Sequence, residues 1–262
     1  MKNITNDCVE WTKDFLRSHE IEHVVIGISG GKDSSICAAI CAEAIGNENI
    51  YGVMLPNGRQ KDIFDSIRII KNLKIKSKKI NISSIYKNIL RKIETPSKRT
   101  KINLAPRLRS VVLYAIAQSL EKSFVCNTSN LDERLVGYST IWGDSIGDFS
   151  PLGNLHVSEV IQIGKDLKIP QDLIDKAPAD GLTDLTDYEN LGFSYSDVED
   201  LFLKIKKNGF QIFENWASIL RQPLKIDLTE KEIEIIRLHD SNLFKIKMIQ
   251  IPTFVPDFRF ER

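Results

Sequence analysis

Cysteine is scarce in this chain of 262 residues, and the four present, Cys8, Cys37, Cys41 and Cys126, form no Cys-x-x-Cys unit. That argues against a metal or disulfide reading of them. Cys37 and Cys41 lie one helical turn apart in an apolar stretch and read as small core residues. Long apolar runs are missing too, and the N-terminus has no signal-peptide core. The expectation is a soluble, cytoplasmic protein with no membrane partner. A charge excess of either sign is absent: 36 Lys+Arg stand against 35 Asp+Glu, net +1. That argues against a nucleic-acid partner, which calls for a basic excess or a clustered patch. The short Lys-rich patch Lys74–Ile80 reads as a solvated edge. No internal repeat or low-complexity tract breaks the chain, and its length suits one large α/β domain or a domain with an appendage.

The usual nucleotide loops are also missing. In a Walker loop Ser or Thr follows the lysine, but here Asp33 follows Lys32, and no Rossmann Gly-x-Gly-x-x-Gly occurs. What is present is Ile26-Gly27-Ile28-Ser29-Gly30-Gly31-Lys32-Asp33-Ser34-Ser35. Val24–Ile28 is a β-branched apolar run and predicts a buried parallel strand. Ser29-Gly30-Gly31 predicts a tight turn, and a helix follows over 34–46. A strand feeding through glycines into a helix N-terminus makes an anion site, because the first helical N–H groups lack partners and the dipole is positive there. Ser29, Ser34 and Ser35 add hydroxyl donors. An Asp inside an anion loop repels phosphate unless a cation lies between them, so Asp33 points to Mg²⁺. The plainer alternative is a glycine-rich β–α turn with Asp33 as a helix cap.

Strand and helix alternate along the first half. The pattern predicts helix 4–19, strand 23–28, helix 34–46, strand 50–55, helix 61–73, strand 78–82, helix 84–93, a loop over 94–102, helix 104–121 and a strand at 124–126. Such alternation implies a doubly wound parallel sheet with helices on both faces, and ligands beyond the carboxyl ends of the strands. Further helices are expected near 156–167, 171–175, 195–206 and 229–239. The polar segment from Lys176 to Asp187, with Pro178 and Gly181, reads as a lid.

A second stretch, Asn127 to Asp144, follows the 124–126 strand and carries Asp132, Glu133 and Asp144. A cleft holding Mg²⁺ against polyphosphate needs hard oxygen ligands, so Glu133 is a candidate to share a cation with Asp33. A capped helix start with surface acids is the alternative.

Ser29-Gly30-Gly31-Lys32-Asp33-Ser34 resembles the pyrophosphate loop of the N-type ATP pyrophosphatases, whose fold is adenine nucleotide alpha hydrolase-like. These enzymes cleave ATP between the α- and β-phosphates and adenylate an acceptor. The order of the remaining segments resembles ammonia-dependent NAD synthetase. Thr128, Glu133, Gly137, Tyr138, Thr140, Gly143 and Asp144 match its pattern in the 127–144 stretch, followed by Asp148 and Pro151-Leu152. Leu55-Pro56-Asn57-Gly58-Arg59-Gln60-Lys61-Asp62 is similar to its segment after the second strand. Asn103 to Arg109 is similar to its Arg-bearing helix. Lys176-Ala177-Pro178 with Gly181-Leu182 is similar to its lid, Thr186-Asp187 to the segment after it, and Ile236 to Lys245 to its closing helix. The resemblance covers nearly all of 1–262 as one domain, with a lid segment near 176–190 and a C-terminal tail over 240–262.

By resemblance, the implied reaction is amidation of nicotinic acid adenine dinucleotide with ammonia through an acyl-adenylate, giving NAD, AMP and pyrophosphate. ATP is the co-substrate, Mg²⁺ the cofactor and a homodimer the implied assembly. With the chain filled by synthetase-like segments, ammonia is expected free or from a separate partner. Asp33, Lys176 and Asp144 are the implied catalytic residues, and Asp33 and Glu133 the metal ligands. Gly27, Ser29, Gly30, Gly31, Lys32, Ser34, Ser35, Leu55, Gln60, Arg107 and Thr128 are implied to bind ATP. Tyr138, Asp144, Asp187 and Lys245 are implied to bind the acceptor. The chain departs from the pattern at Ser145 and Ile146, where glycines are usual, at Ala179, where a lid hydroxyl is usual, and near Val157, where a Lys is usual. Ala105 and Ser110 stand for Gln and Met in the Arg helix, and Phe244 and Ile246 flank Lys245 where His and Arg are common. Another carboxylate acceptor, a tRNA-modifying pyrophosphatase and a non-catalytic nucleotide-binding relative are the alternatives. The tRNA reading is disfavoured by the charge balance and the missing cysteine pair.

Overall fold

The computed structural model describes residues 3–178, 185–209, 226–248 and 251–256. Four parallel strands, β1 (His23–Gly27), β2 (Ile50–Met54), β3 (Lys76–Lys79) and β4 (Ser123–Val125), form a sheet in the order β3-β2-β1-β4. Val25 sits opposite Tyr51 on one side and Val125 on the other, so β1 is central.

Alternation along the strands sends side chains into two cores. Val24, Ile26 and Ile50 point to one face, where α1 (Ile4–Ser18), α2 (Lys32–Ile45), α3 (Ile63–Leu73) and α7 (Val157–Asp166) cover them. Val25, Val53 and Val125 point to the other, under α4 (Ser83–Lys92) and α5 (Lys98–Ala117). Helices on both faces of a parallel sheet are what the strand–helix alternation implies. α1 follows from its sequence: the Asn3 side chain caps Thr5 N–H, and Cys8, Val9, Thr12 and Leu16 bury one stripe. All four cysteines are free and buried, as core residues.

A third core lies beyond the sheet, among α6 (Leu131–Val136), α10 (Tyr195–Lys207) and α11 (Glu230–Met248), where Leu135, Leu201 and Ile235 are buried. Two short helices, α8 (Gln171–Ile174) and α9 (Asp187–Leu191), complete the described elements that bear on the site. α11 also caps α6. His239 Nδ1 donates to Leu135 O at 2.5 Å, Asn242 Nδ2 to Val136 O at 2.9 Å, and Lys245 Nζ to Gly137 O at 2.8 Å. These donors satisfy the carbonyls a helix end leaves open. Gly137 is left-handed at φ +62, and a Cβ there would lie 2.4 Å from Asn242 Cβ, so only glycine allows this approach.

Several boundaries differ from the sequence reading. α2 begins at Lys32, not 34, because Gly31 is its N-cap. β3 is Lys76–Lys79 rather than 78–82; it is fully exposed at the sheet edge, where lysines discourage further pairing. α5 starts at Lys98, inside the expected 94–102 loop, because Ser97 caps Thr100 N–H, and it ends at Ala117 rather than 121. Pro106 lies inside it. α6 was foreseen only in the alternative of a capped helix start, and α9 was not expected as a helix; capping boxes at Asn130/Glu133 and Thr186/Glu189 start them. α11 continues to Met248, so the expected tail over 240–262 opens as helix. Ala179, Asp180, Gly181 and Leu182 of the expected lid lie outside the described residues.

Ile36 is fully buried on α2, and its Cδ1 would lie 2.8 Å from a Cβ added at Gly164 of α7. Ile36→Ala is expected to cost about 2–5 kcal/mol of stability in urea denaturation. Lys78→Ala on the exposed edge is expected to stay within about 0.5 kcal/mol of the parent. Equal effects would disprove this placement of the core.

Candidate active site

β1 leads into a braced turn. Ser29 Oγ and Ser34 Oγ lie 3.1 Å apart, Gly31 N–H donates to Ser29 Oγ at 3.2 Å, and Ser35 Oγ donates to Gly31 O at 2.8 Å. Gln60 Nε2 holds the turn from outside, donating to Ser29 O at 2.9 Å. Gly30 is left-handed at φ +87, and a Cβ there would lie 2.6 Å from the Asp62 carbonyl. Gly31 supplies no side-chain cap, so the first turn of the 14-residue α2 presents open N–H donors.

Behind the turn lies a cluster of charges. Lys32 Nζ is 2.9 Å from Asp33 Oδ2, with side chains 4% and 18% exposed. Burial works against the Lys32 ammonium, but Asp33, Glu133 and Asp187 outweigh it and hold its pKa above the usual lysine value. Glu133 is pushed well up by burial and by the neighbouring Asp33 and Asp187 carboxylates, against Lys32. Its carboxylate also closes the α6 capping box, accepting from Asn130 N–H at 3.3 Å. Tyr195 O–H donates to Asp187 Oδ2 at 2.9 Å, and burial together with Glu133 raises the phenol's pKa. Three carboxylates thus surround one ammonium. Asp33 Oδ1 is buried with no hydrogen-bond partner. An orphaned carboxylate oxygen beside a carboxyl pushed toward protonation is a donor set suited to a hard divalent cation.

A cavity of about 740 Å³ opens above the carboxyl ends of β1, β2 and β4. Gly27, Ser29, Gly31, Asp33 and Ser34 line it from the turn, Leu55 and Gln60 from the β2 side, and Thr128 and Glu133 from the β4 side. Tyr138, Asp144, Lys176, Asp187 and Lys245 line the rest. The structure therefore brings most of the expected site residues to one cavity. Four stand apart. Lys32 is buried in the charge cluster and Ser35 braces the turn, so neither lines the cavity; Gly30 is buried at the bend. Arg107 is exposed and donates from Nε to Ile141 O at 3.0 Å, outside the cavity wall. Arg109, two residues on and on a different face of α5, lines the cavity instead and donates to Leu55 O at 3.1 Å.

Asp144 is exposed to the cavity, yet desolvation by the surrounding protein raises its carboxyl pKa; the Thr140 N–H, donating at 2.6 Å, with Arg109 and Lys245, partly offsets this. Lys245 is held below the usual lysine range by burial and by Arg99. Its donations to Gly137 O and Ser139 O show a structural use as well. Ser145 donates to Thr140 O at 3.0 Å, so this departure tightens the Asp144 turn. Asn127, which sequence reasoning did not single out, donates to Asp144 O at 2.9 Å and Ile146 O at 3.1 Å. Val157 does not reach the cavity; its N–H donates to Asp132 Oδ2 at 2.8 Å. Lys176 Nζ lies 2.9 Å from Asp62 Oδ1 and 2.8 Å from Asp65 Oδ2, and donates to Gly30 O at 3.3 Å. Asp62 and Asp65 are partners that the sequence alone did not identify.

A family model described as NAD synthase matches residues 4–247. The NH(3)-dependent NAD(+) synthetase of Thermococcus sibiricus is 35% identical over 234 residues, covering 86% of this chain and 89% of that protein. The solved NMN synthetase from Francisella tularensis superposes with a TM-score of 0.78 at 28% identity, over 97% of this chain and 98% of its own. The NH3-dependent NAD synthetase from Campylobacter jejuni, solved with a nitrate ion, gives a TM-score of 0.73 at 27% identity, over 95% and 97%.

The raised Glu133 carboxyl yields a test in metal-free protein. A carboxyl whose folded pKa lies above its unfolded one costs stability above the folded value and nothing below the unfolded one. Glu133→Gln keeps an acceptor for the capping box and removes that cost. Its thermal midpoint is expected above the parent's at pH 8, with the gain shrinking toward pH 4. A constant difference, or a lower midpoint at pH 8, contradicts the burial argument.

Proposed function

The chain belongs to the NAD synthase family, and from that premise we propose that it amidates a nicotinate nucleotide with ammonia at the expense of ATP. It is an enzyme, and ATP-dependent synthesis of NAD is its family's work. We take the acceptor to be nicotinic acid adenine dinucleotide and the path to run through an acyl-adenylate. The observation that carries this reading is the joining of the Ser29–Ser34 turn, Asp33 and Glu133 around one cavity.

A carboxylate is a poor electrophile at neutral pH. Transfer of AMP to it makes a mixed anhydride, with pyrophosphate leaving; ammonia then attacks the acyl carbon and AMP leaves. In-line displacement at the α-phosphorus needs positioning and charge neutralisation more than covalent help from the protein. The open N–H groups of α2, with Ser29 and Ser34, would hold the β- and γ-phosphates. Asp33 and Glu133 would hold Mg²⁺, which when bound neutralises charge developing on the phosphates. Lys176 would exchange its carboxylate partners for phosphate oxygens. Arg109, Leu55, Gln60 and Thr128 would line the nucleotide. Tyr138, Asp144, Asp187 and Lys245 would face the acceptor, with Asp144 toward the ammonia side.

A second reading has a specific support: the likeness to an NMN synthetase over 97% of the chain. NMN lacks the AMP half of NAD, so the matching acceptor is the mononucleotide acid. The working form is taken to be a homodimer by resemblance; a monomer with full activity in sedimentation would remove that part.

Incubation with ATP, Mg²⁺, ammonium and the two acids in competition decides the acceptor. AMP and pyrophosphate in equal amounts with NAD are expected; preferential NMN selects the second reading, and ADP with orthophosphate overturns the chemistry. Asp33→Ala and Glu133→Ala are each expected to lower turnover by about 10²-fold or more, by analogy with loss of a transition-state electrostatic contact. Near-normal rates in both across a Mg²⁺ titration would reject the shared metal site.

A further inference from the structure

On the far side of α6 from the cavity, three ligand-type side chains meet that the proposed reaction does not use. Asp132 of α6 is fully buried, His156 at the start of α7 is 4% exposed, and Glu199 comes from α10. One ligand atom from each lies within 4.8 Å of the other two. Asp132 accepts twice, from His156 Nδ1 at 2.6 Å and from Val157 N–H at 2.8 Å. A carboxylate that accepts fixes a proton on Nδ1, so in the neutral ring the lone pair is on Nε2. That Nε2 is buried and has no hydrogen-bond partner. The ring packs edge-on against Phe202, one turn beyond Glu199 on the same face of α10, with centroids 4.7 Å apart. Glu199 is itself oriented, accepting from Ser158 Oγ at 2.7 Å.

A buried imidazole oriented by a carboxylate, with an unused lone pair and a second carboxylate close by, is how proteins prepare a metal ligand. The cluster sets two carboxylates against one imidazole, with Asp132 and His156 buried and Glu199 partly so. We propose that Asp132, His156 and Glu199 form a structural site for a transition-metal dication of the zinc class, distinct from the Asp33/Glu133 site. His156 Nε2 and Glu199 are its protein ligands, and Asp132 is the residue that positions the ring. Imidazole in the set favours Zn²⁺ or Co²⁺ over Mg²⁺, which prefers oxygen. An ion here ties α6, α7 and α10 together, and α6 carries Glu133.

The test uses the full chain, stripped with chelator and held in excess Mg²⁺ so that oxygen-rich sites are filled. Co²⁺ is titrated and its visible absorption recorded; Zn²⁺ is then added and the thermal midpoint measured. One equivalent of Co²⁺ with a visible band, and a higher midpoint with Zn²⁺, are expected. Glu199→Gln is expected to weaken binding by about 10-fold or more and His156→Gln to abolish the band. No band, or a band that survives both substitutions, overturns the proposal. Should His156→Gln fail to fold, the ¹⁵N resonances of His156 in the parent decide. An Nε2 signal that moves on adding Zn²⁺ supports the site. An Nε2 that is already protonated, or that does not move, rejects it in favour of a buried imidazolium pair.

Discussion

The buried ammonium of Lys32 is the charge on which the electrostatics of the cleft depend. It lies among Asp33, Glu133 and Asp187, and without it three carboxylates would face one another in a poorly solvated space. Removing one partner of such a cluster leaves unpaired buried charge, which is costly. The ammonium offsets part of the negative charge, and the neighbouring carboxylates, together with burial, push the Glu133 carboxyl upward. A divalent cation takes the ionised carboxylate as its ligand, so a cation bound there would oppose that upward push. On the proposed reading this also accounts for Asp33 at an anion-binding turn: with Glu133 it would offer a place for the cation that phosphate needs.

Position in this site is set from both ends of α6. At its start the Glu133 carboxylate accepts from Asn130 N–H while the Asn130 side chain accepts from Glu133 N–H at 3.0 Å. One carboxylate therefore caps the helix and faces the cavity, and the helix fixes its orientation. At its end His239, Asn242 and Lys245 donate to three successive carbonyls, so α11 fixes where α6 stops. Lys245 is a point of contact between the two tasks. Its ammonium binds backbone oxygens at the α6 terminus and also stabilises the charged form of Asp144. Substitution there changes structure and cavity charge together, and only a comparison of stability with activity separates them.

The parts of the fold legible in the sequence are those driven by local pattern. The β-branched run before Gly27, the serines and glycines of the turn, and the apolar α2 belong to one short stretch, and the structure assembles them as read. The missed parts depend on partners distant in sequence or on caps. α5 begins in a polar segment because Ser97 bonds Thr100 N–H, a local signal masked by the neighbouring Pro96. Lys32 reads as a phosphate ligand from its place after Gly31, but the acidic groups that draw it inward include Glu133 and Asp187, more than a hundred residues away. Arg107 and Arg109 cannot be told apart by spacing to the loop, since helix rotation against the sheet decides which faces the cavity. Asn127 was readable only as the residue after a strand; its hold on the Asp144 turn is tertiary.

Lys176 shows how the cleft can be ordered without being locked. Its ammonium meets Asp62, Asp65 and the Gly30 carbonyl, three oxygens that together resemble part of a phosphate's surface. The two carboxylates keep its pKa high despite burial, so the cation is preserved for a later partner. All three side chains are partly exposed, at 29%, 43% and 31%, and ion pairs of that kind are worth about 0–1 kcal/mol. On the proposed reading, a polyphosphate at the α2 N-terminus would carry more charge than either carboxylate and reach the lysine from the adjoining loop. Exchange of partners would then cost little, while the prior pairing would spare the long side chain much of the entropy of being ordered. The same contacts set the carbonyl of Gly30, a residue that must stay glycine, against the Lys176 ammonium. Loop geometry and lysine position are thus settled by a single arrangement.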